Sequence, residues 1–251
     1  MNKSTGILLA VILAVLLAPA AQAAGGDSGM LLTSPNDVGN TESLQRGAKN
    51  FVNYCLGCHS AEYVRYNRVA SDLDINEADL AQNLMWTAEK AHQTIEVAMP
   101  ADDAARWFGR TPPDLSLIAR SRGVDWLYSY LKTFYVDEDA RFGSNNVMLP
   151  GLSMPNVLWQ LEGDKEAIIE EQVDAEGNKH DSIVGFRQLS AGTLNAEEFD
   201  QFVVDLVNFL DYMGEPIKLK RQSLGIRVIA YLLVFFLLAL ALKKEFWKDV
   251  H

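Results

Sequence analysis

The sequence contains very little cysteine, with two residues in a chain of 251. Both lie in one short segment, Tyr54-Cys55-Leu56-Gly57-Cys58-His59. No third cysteine is left to form a structural disulfide elsewhere, and none completes a four-cysteine zinc site. Burial of an apolar core or a bound cofactor must therefore stabilise the fold.

Basic side chains are scarce over most of the chain. Residues 24–217 carry 14 Lys and Arg against 31 Asp and Glu, a formal charge of −17, whereas residues 218–251 carry 7 against 2. An acidic body repels the phosphates of DNA and RNA, so no nucleic-acid partner is predicted. The same charge would attract a basic protein partner. The alternative is that the negative charge only keeps the domain soluble.

Long apolar segments are confined to the two ends of the chain. The first runs from Gly6 to Ala18, follows Lys3 and is succeeded by Ala21-Gln22-Ala23. A basic start, a short apolar run and small residues at the end are typical of a secretory signal peptide. We predict a signal peptide over residues 1–23, removed after Ala23. The alternative is an uncleaved membrane anchor.

The second apolar segment, Leu224 to Leu242, is long enough to cross a membrane. Its residues would span about 28 Å as a helix, close to the thickness of the hydrocarbon layer. Arg227 lies near one end and Trp247 beyond the other, where their polar groups can reach the interfaces. We predict an exported periplasmic domain over residues 24–217, a single span over 224–242 and a cytoplasmic tail over 243–251, in a bacterial inner membrane.

Between these segments the patterns predict a mainly α domain. Apolar residues recur at helical spacing over Ser43–Tyr54, and again after Asn76 as far as Ala91. Asn195 and Glu198 form a capping-box pattern ahead of an apolar stripe that continues to Met213. Apolar residues on either side of residues 175–178 indicate one small β-hairpin.

The segment containing both cysteines is a Cys-x-x-Cys-His motif, which attaches c-type haem. The thiols of Cys55 and Cys58 add to the porphyrin vinyl groups, and His59 binds the iron as neutral imidazole. The rival interpretations are a redox dithiol and half a zinc site. No βαβ pattern or further cysteine supports them, and covalent haem attachment agrees with export. The remaining histidines lack a supporting motif and are expected at the surface: His92, His180 and His251.

A methionine is expected to close the other side of the iron, because His/Met ligation favours a high reduction potential. The candidates are Met85, Met99, Met148, Met154 and Met213. Met85 and Met213 fall on apolar helix faces, which favours the core. Met99 and Met154 each precede a proline in a loop, and spacing alone does not separate these two, with Met148 behind them. Without a methionine ligand, the iron would be open to small molecules.

Taken together, the motifs resemble those of the cytochrome c1 family, the haem subunit of the cytochrome bc1 complex (ubiquinol–cytochrome c reductase). The resemblance covers nearly the whole mature chain. It is carried by Arg46–Phe51, Val52–His59, Pro112-Pro-Asp-Leu-Ser116, Arg120-Ser-Arg122, Pro150-Gly-Leu-Ser-Met-Pro155 and the C-terminal span.

This resemblance implies a class I cytochrome c-like haem domain with insertions, followed by one transmembrane helix. It implies that Met154 is the sixth ligand and that Pro113 packs against the haem. Arg122 matches the arginine that pairs with a haem propionate, with Arg120 as the alternative. Trp126 stands where the family often has tyrosine.

The function implied by the resemblance is electron transfer rather than bond chemistry. Electrons would reach one covalent haem c from the Rieske iron–sulfur protein and leave to a cytochrome c, within a dimeric complex that contains cytochrome b. The chain would be a redox subunit of an oxidoreductase and not an enzyme alone. Two rivals remain: another membrane-anchored monohaem cytochrome, serving an oxidase or acting as a shuttle, and a haem enzyme or gas sensor with an open iron face.

Overall fold

A computed structural model describes residues 30–173 and 179–249 of the chain. The predicted signal peptide lies outside the described residues, as do His251, the side chain of His180 and the tip of the predicted hairpin. Within the described part, helices dominate, which confirms the mainly α prediction.

The helices, numbered in chain order, are α1 (Thr41–Tyr54), α2 (Tyr66–Asp72), α3 (Glu77–Asn83), α4 (Ala101–Phe108), α5 (Ile118–Arg122), α6 (Val124–Lys132), α7 (Trp159–Glu162), α8 (Ala196–Gly214) and α9 (Lys218–Phe246). The strands form three antiparallel pairs: β1 (Ala61–Arg65) with β2 (Thr94–Ile95), β3 (Phe134–Val136) with β4 (Ser144–Asn146), and β5 (Lys165–Val173) with β6 (Lys179–Gln188). The sequence predicted only the last pair. Each of the other two contains a strand of at most three residues, too short to show alternation.

Helix α1 forms where the sequence predicted it, apart from its first two residues. The side chain of Asn40 accepts a hydrogen bond from the Ser43 amide at 3.1 Å and thereby caps the helix. Its apolar stripe is buried and includes Phe51 and Leu44. Because α1 ends at Tyr54, the haem motif follows directly from a well-anchored helix.

Helix α8 is the central core element. The predicted capping box is present: the Asn195 side chain accepts from the Glu198 amide, and the Glu198 carboxylate accepts from the Asn195 amide. Most of the helix is buried, from Val203 to Gly214. Its polar residues in this stretch, Asp205, Asn208 and Asp211, are buried as well, and each is hydrogen-bonded to a residue outside the helix.

Helices α1 and α8 cross at very close range. A Cβ atom built on Gly47 would lie 2.1 Å from the Asp205 carbonyl oxygen and 2.7 Å from Phe209 Cβ, so only glycine fits there. The Asp205 carboxylate, which is buried, accepts hydrogen bonds from Ser43 Oγ at 2.7 Å and from Arg46 Nε at 2.6 Å. The crossing therefore fixes the end of α1, and with it the haem motif, against the core.

The helix predicted from Asn76 to Ala91 is wrong in its second half, since α3 ends at Asn83. The Gln93 side chain accepts from the amides of Glu89 and Lys90, which turns the chain locally. The Ala91 carbonyl oxygen accepts from the Asn67 amide at 2.7 Å. These local hydrogen bonds of Gln93 and the contact of Ala91 with α2 replace the helical hydrogen bonds that spacing alone predicted.

The hairpin of β5 and β6 extends away from the core. At its base, Lys165 is buried, its Nζ donates to the Lys132 carbonyl oxygen at 2.7 Å, and it lies 4.7 Å from the Phe186 ring centroid. The residues farther along β5 are exposed, including Glu170 and Glu171. The acidic run of this region is therefore a solvent-exposed strand.

Helix α9 is the membrane anchor. It has 29 residues, about 43 Å at the helical rise, and its most apolar stretch has a mean hydropathy of 2.5. None of its residues is buried, so it is not a core helix. The predicted span, 224–242, lies inside it, and the helix continues for several residues at either end.

Candidate haem site

The Cys-x-x-Cys-His segment forms a tight turn at the end of α1. The amides of Cys58 and His59 donate to the Cys55 carbonyl oxygen, at 3.0 Å and 2.8 Å respectively. This turn brings both cysteines and the histidine to the wall of one cavity. The three predicted attachment residues therefore face a common space.

That cavity has a volume of about 280 Å³ and walls that are mostly apolar. It lies between the end of α1, helices α5, α6 and α8, and the loop of residues 149–157. Its apolar lining comes from Tyr54, Phe108, Pro112, Pro113, Leu115, Ile118, Trp126, Leu127, Tyr130, Leu131, Leu149, Leu152, Pro155, Val157, Leu206 and Leu210.

The His59 ring is held in one orientation by a backbone carbonyl. Its Nδ1 lies 2.7 Å from the Pro113 carbonyl oxygen, which can only accept, so Nδ1 carries the proton. Nε2 is then left with a lone pair for a metal ion. Burial lowers the pKa of His59, opposed by this hydrogen bond and by the Asp114 carboxylate, and the neutral ring is the form that binds iron.

Both cysteines are in environments that disfavour the thiolate. Burial, with a smaller contribution from Cys58, raises the pKa of Cys55 to about 12. Burial also raises the pKa of Cys58. Redox dithiols and zinc ligands need the opposite shift, because their chemistry uses the thiolate. The described residues also contain no group of three or more His, Cys, Asp or Glu suited to a metal ion.

The five candidate methionines occupy different places. Met154 lines the same cavity as His59, and its Sδ accepts a hydrogen bond from the Tyr130 hydroxyl at 3.3 Å. Met99 lines a separate, more polar cavity beside Glu96. The others belong to the core or pack against it: Met85, Met148 and Met213. Of the five, Met154 is thus the one that shares a cavity with His59.

Two arginines line the cavity, and the sequence pointed to one of them. Arg122, the predicted propionate partner, lies with its guanidinium carbon 5.1 Å from the Trp126 ring centroid. The alternative, Arg120, pairs instead with Glu215 at 3.1 Å and is not part of the cavity lining. Arg110 also lines the cavity, and no motif marked it in advance. Two guanidinium groups suit the two carboxylates of a haem.

The residues of this cavity fit a covalently bound haem c. They supply two thiols, a neutral imidazole with Nε2 free, a thioether sulfur, apolar walls and two cationic groups. His92 is exposed and does not contribute to the cavity. The sequence does not predict the hydrogen bond between the Pro113 carbonyl oxygen and His59, because any residue type can supply a backbone acceptor.

Comparison with known proteins decides the family. The model of the cytochrome C1 family matches residues 33–250. The chain belongs to the cytochrome c1 family. The resemblance inferred from the motifs is thereby confirmed over most of the chain.

Several characterised relatives align with this cytochrome c1 family member. A cytochrome c1 of Allochromatium vinosum is 46% identical over 98% of this chain and 99% of its own length. A protein of Nitrosomonas europaea named ammonia monooxygenase gamma subunit is 43% identical over 96% of this chain and 97% of its own length. A Bradyrhizobium diazoefficiens protein named cytochrome b/c1 is 25% identical over 83% of this chain, and the match spans 33% of that protein.

Membership of the cytochrome c1 family establishes the general role of the chain. Proteins of this family carry one covalently bound haem c, and the Cys55, Cys58 and His59 motif fits it. The chain is a haem electron-transfer subunit of a bc1 complex, associated with cytochrome b and held by a single membrane anchor.

Proposed function

We propose that this chain accepts electrons from the Rieske iron–sulfur protein of ubiquinol–cytochrome c reductase and passes them to a cytochrome c. The observation that carries the proposal is that His59 and Met154 line one largely apolar cavity. A haem c bound there supplies a one-electron redox couple. If His59 and Met154 both bound the iron, substrate chemistry there would be disfavoured and electron transfer favoured.

In the proposed site each residue has a definite task. Cys55 and Cys58 would form the thioether bonds to a haem, and His59 and Met154 would bind its iron. Pro113 orients the imidazole through its carbonyl oxygen and packs beside the haem. Arg122 would pair with one propionate, and Arg110, which lines the same cavity, could pair with the other.

The surroundings favour rapid electron transfer because they resist rearrangement. His59 follows α1, which is anchored by the Gly47 crossing and by the buried Asp205 carboxylate. The apolar walls leave little room for water to reorient when the charge on the iron changes. Fixed ligands and few mobile dipoles are what a site for electron transfer needs.

The proposed topology places the haem domain in the periplasm. A signal peptide over residues 1–23 exports the chain, residues 24–217 fold outside, residues 224–242 span the inner membrane and residues 243–251 stay in the cytoplasm. Helix α9 begins at Lys218, and only three residues separate it from the end of α8 at Gly214. Ion pairs of Lys218 with Asp211 and of Arg221 with Glu215 reinforce this short link. The haem domain is thereby kept close to the membrane, where cytochrome b and the Rieske protein reside.

The charge of the domain supports a basic cytochrome c as the acceptor. Residues 24–217 have a formal charge of −17, and long-range attraction speeds the encounter of oppositely charged proteins. Two copies of the chain are expected in each assembly, since the complex is proposed to be dimeric.

Purification of the full-length chain from membranes in a mild detergent tests this proposal. We expect cytochrome b and a Rieske protein to copurify as a dimeric assembly, and ubiquinol to reduce the haem. Recovery with oxidase subunits, or alone, would favour another membrane-anchored monohaem cytochrome. Recovery with an ammonia-oxidising enzyme would instead favour the role named for the Nitrosomonas relative.

A further inference from the structure

An aromatic stack lines one side of the haem cavity. Trp126 and Tyr130, one helical turn apart on α6, have parallel rings with centroids 4.9 Å apart. The Arg122 guanidinium lies over the far face of this pair, 5.1 Å from the Trp126 centroid. Phe134 meets Tyr130 edge to face at 5.2 Å. The i, i+4 spacing places Trp126 and Tyr130 on one face of α6, and Arg122 at the end of α5 and Phe134 in β3 extend the pair into a row.

The Tyr130 hydroxyl lies next to the sulfur atom of Met154. The residue is 9% exposed, and its hydroxyl donates to Met154 Sδ at 3.3 Å. A hydroxyl among apolar side chains is costly to bury unless it is hydrogen-bonded. Burial raises the pKa of Tyr130, so the phenol keeps its proton and remains a donor.

We propose that Tyr130 is a positioning residue that raises the reduction potential of the haem through its hydrogen bond to the Met154 sulfur. The inference rests on the proposed role of Met154 as axial ligand. A thioether sulfur has two lone pairs, so it can bind iron with one and accept from Tyr130 with the other. The hydrogen bond withdraws electron density from the sulfur. A sulfur that donates less stabilises ferric iron less, which favours the ferrous state.

The neighbouring rings determine where the hydroxyl points. Trp126 covers one face of Tyr130, and Phe134 packs against its ring, so the phenol cannot swing away from Met154 without losing both contacts. Trp126 also links this hydrogen bond to Arg122, the proposed propionate partner. The stack therefore joins two groups that influence the haem from different sides.

The test is the reduction potential of the full-length protein carrying Tyr130→Phe, which removes the hydroxyl and keeps the ring. We expect the midpoint potential to fall, equivalent to a severalfold change in the ratio of ferrous to ferric protein at a given applied potential. We expect the low-spin spectrum of a His/Met haem to be retained. An unchanged or higher potential would overturn the inference. Loss of the low-spin spectrum would also overturn it, since the hydroxyl would then be needed for packing rather than for tuning.

Tyr128→Phe is the matched control. Tyr128 lies on the same helix, but its hydroxyl bonds to Asp200 and Lys132 and is not part of the cavity lining. We expect its removal to leave the potential unchanged.

Met154→Ala tests the assignment of Met154 as ligand separately from the role of Tyr130. If that variant keeps the low-spin spectrum, the ligand assignment fails. If it opens the iron while Tyr130→Phe leaves the potential unchanged, only the role of Tyr130 fails.

Discussion

The Pro113 carbonyl oxygen, 2.7 Å from His59 Nδ1, determines which imidazole nitrogen is free for iron. The motif supplies the histidine, but an atom on a distant loop selects its tautomer. Tyr130 acts in the same way on Met154, through a hydroxyl that no motif marks. Single atoms outside the attachment motif thus control both proposed axial ligands.

Replacing Met154 with alanine tests the sixth ligand. We expect Met154→Ala to lose the low-spin spectrum and to bind carbon monoxide in the reduced state, because the position opposite His59 is then open. A fall in midpoint potential should accompany the change. Spectra of the reduced protein with and without carbon monoxide measure the loss of the low-spin form and the binding of carbon monoxide.

Met99→Ala is the control for this prediction, since Met99 lines a different cavity. It should leave the spectrum and the reaction with carbon monoxide unchanged. If Met99→Ala allowed carbon monoxide to bind the iron and Met154→Ala did not, Met99 rather than Met154 would be the ligand.

At the scale of elements, the crossing of α1 and α8 carries the haem motif. Phe51 and Phe209 pack with ring centroids 5.7 Å apart, close to the contact between Gly47 and Asp205. The contact is possible because glycine lacks a Cβ atom and lets the two backbones approach. The position of His59 therefore depends on a residue twelve positions earlier in the chain.

Gly47→Ala is expected to be strongly destabilising. Its methyl group would lie 2.1 Å from a backbone oxygen of α8, so the helices would have to separate. We expect a loss of about 3 kcal/mol or more in the free energy of unfolding of the haem domain. Denaturant unfolding followed by the haem spectrum measures it.

Gly185→Ala provides the comparison, because its added methyl group would meet the nearest atom, Ile168 Cδ1, at an ordinary 3.8 Å. We expect a change of about 0.5 kcal/mol or less there. Equal effects of the two substitutions would contradict the assigned importance of the helix crossing.

At the scale of the whole molecule, the chain consists of an acidic haem domain and a basic C-terminal part that contains the anchor. Residues 24–217 are acidic and residues 218–251 are basic. The two parts meet at the three-residue link before α9. In the proposed topology this arrangement would present an acidic domain to soluble partners and keep basic groups next to the lipid headgroups.

The rate at which the chain reduces a basic cytochrome c should fall as salt is added. The attraction acts over a Debye length of about 10 Å at 0.1 M ionic strength and is screened beyond it. Stopped-flow measurements over a range of ionic strength, with an uncharged acceptor as control, measure the effect. Equal rates at low and high salt would rule out electrostatic steering.

A chain ending at Ile217 should leave the membrane and keep its haem domain folded. No residue of α9 is buried, and the ion pairs of Lys218 and Arg221 are partly exposed to solvent, so their loss should destabilise the haem domain very little. Fractionation and thermal unfolding, with the full-length chain processed in parallel, check both points. A truncated protein that sediments with membranes, or that unfolds at a much lower temperature than the full-length chain, would show that α9 does more than anchor.

Local physical chemistry made part of this structure predictable. The haem motif, the α9 segment and the capped helices α1 and α8 each depend on neighbours within a few residues. Helix α3 ended before its pattern did, because the backbone amide of Asn67 in α2 bonds to the Ala91 carbonyl oxygen and the Gln93 side chain turns the chain at Glu89 and Lys90. The sequence does not predict the strand pairs β1–β2 and β3–β4, because strands this short are not long enough to show an alternating pattern.

The sequence by itself determined the attachment motif, the apolar segments and the charge of each part, since these depend only on residue identity and order. Residue spacing left Met154 and Met99 equal, and only the family resemblance favoured Met154 and Arg122; the tertiary structure decided that Met154 shares a cavity with His59 while Met99 does not, and that Arg122 rather than Arg120 lines it. It also brought the Pro113 carbonyl and the Tyr130 hydroxyl to the proposed ligands. These choices depend on which loops the packed helices bring together, and spacing along the chain does not encode such distances.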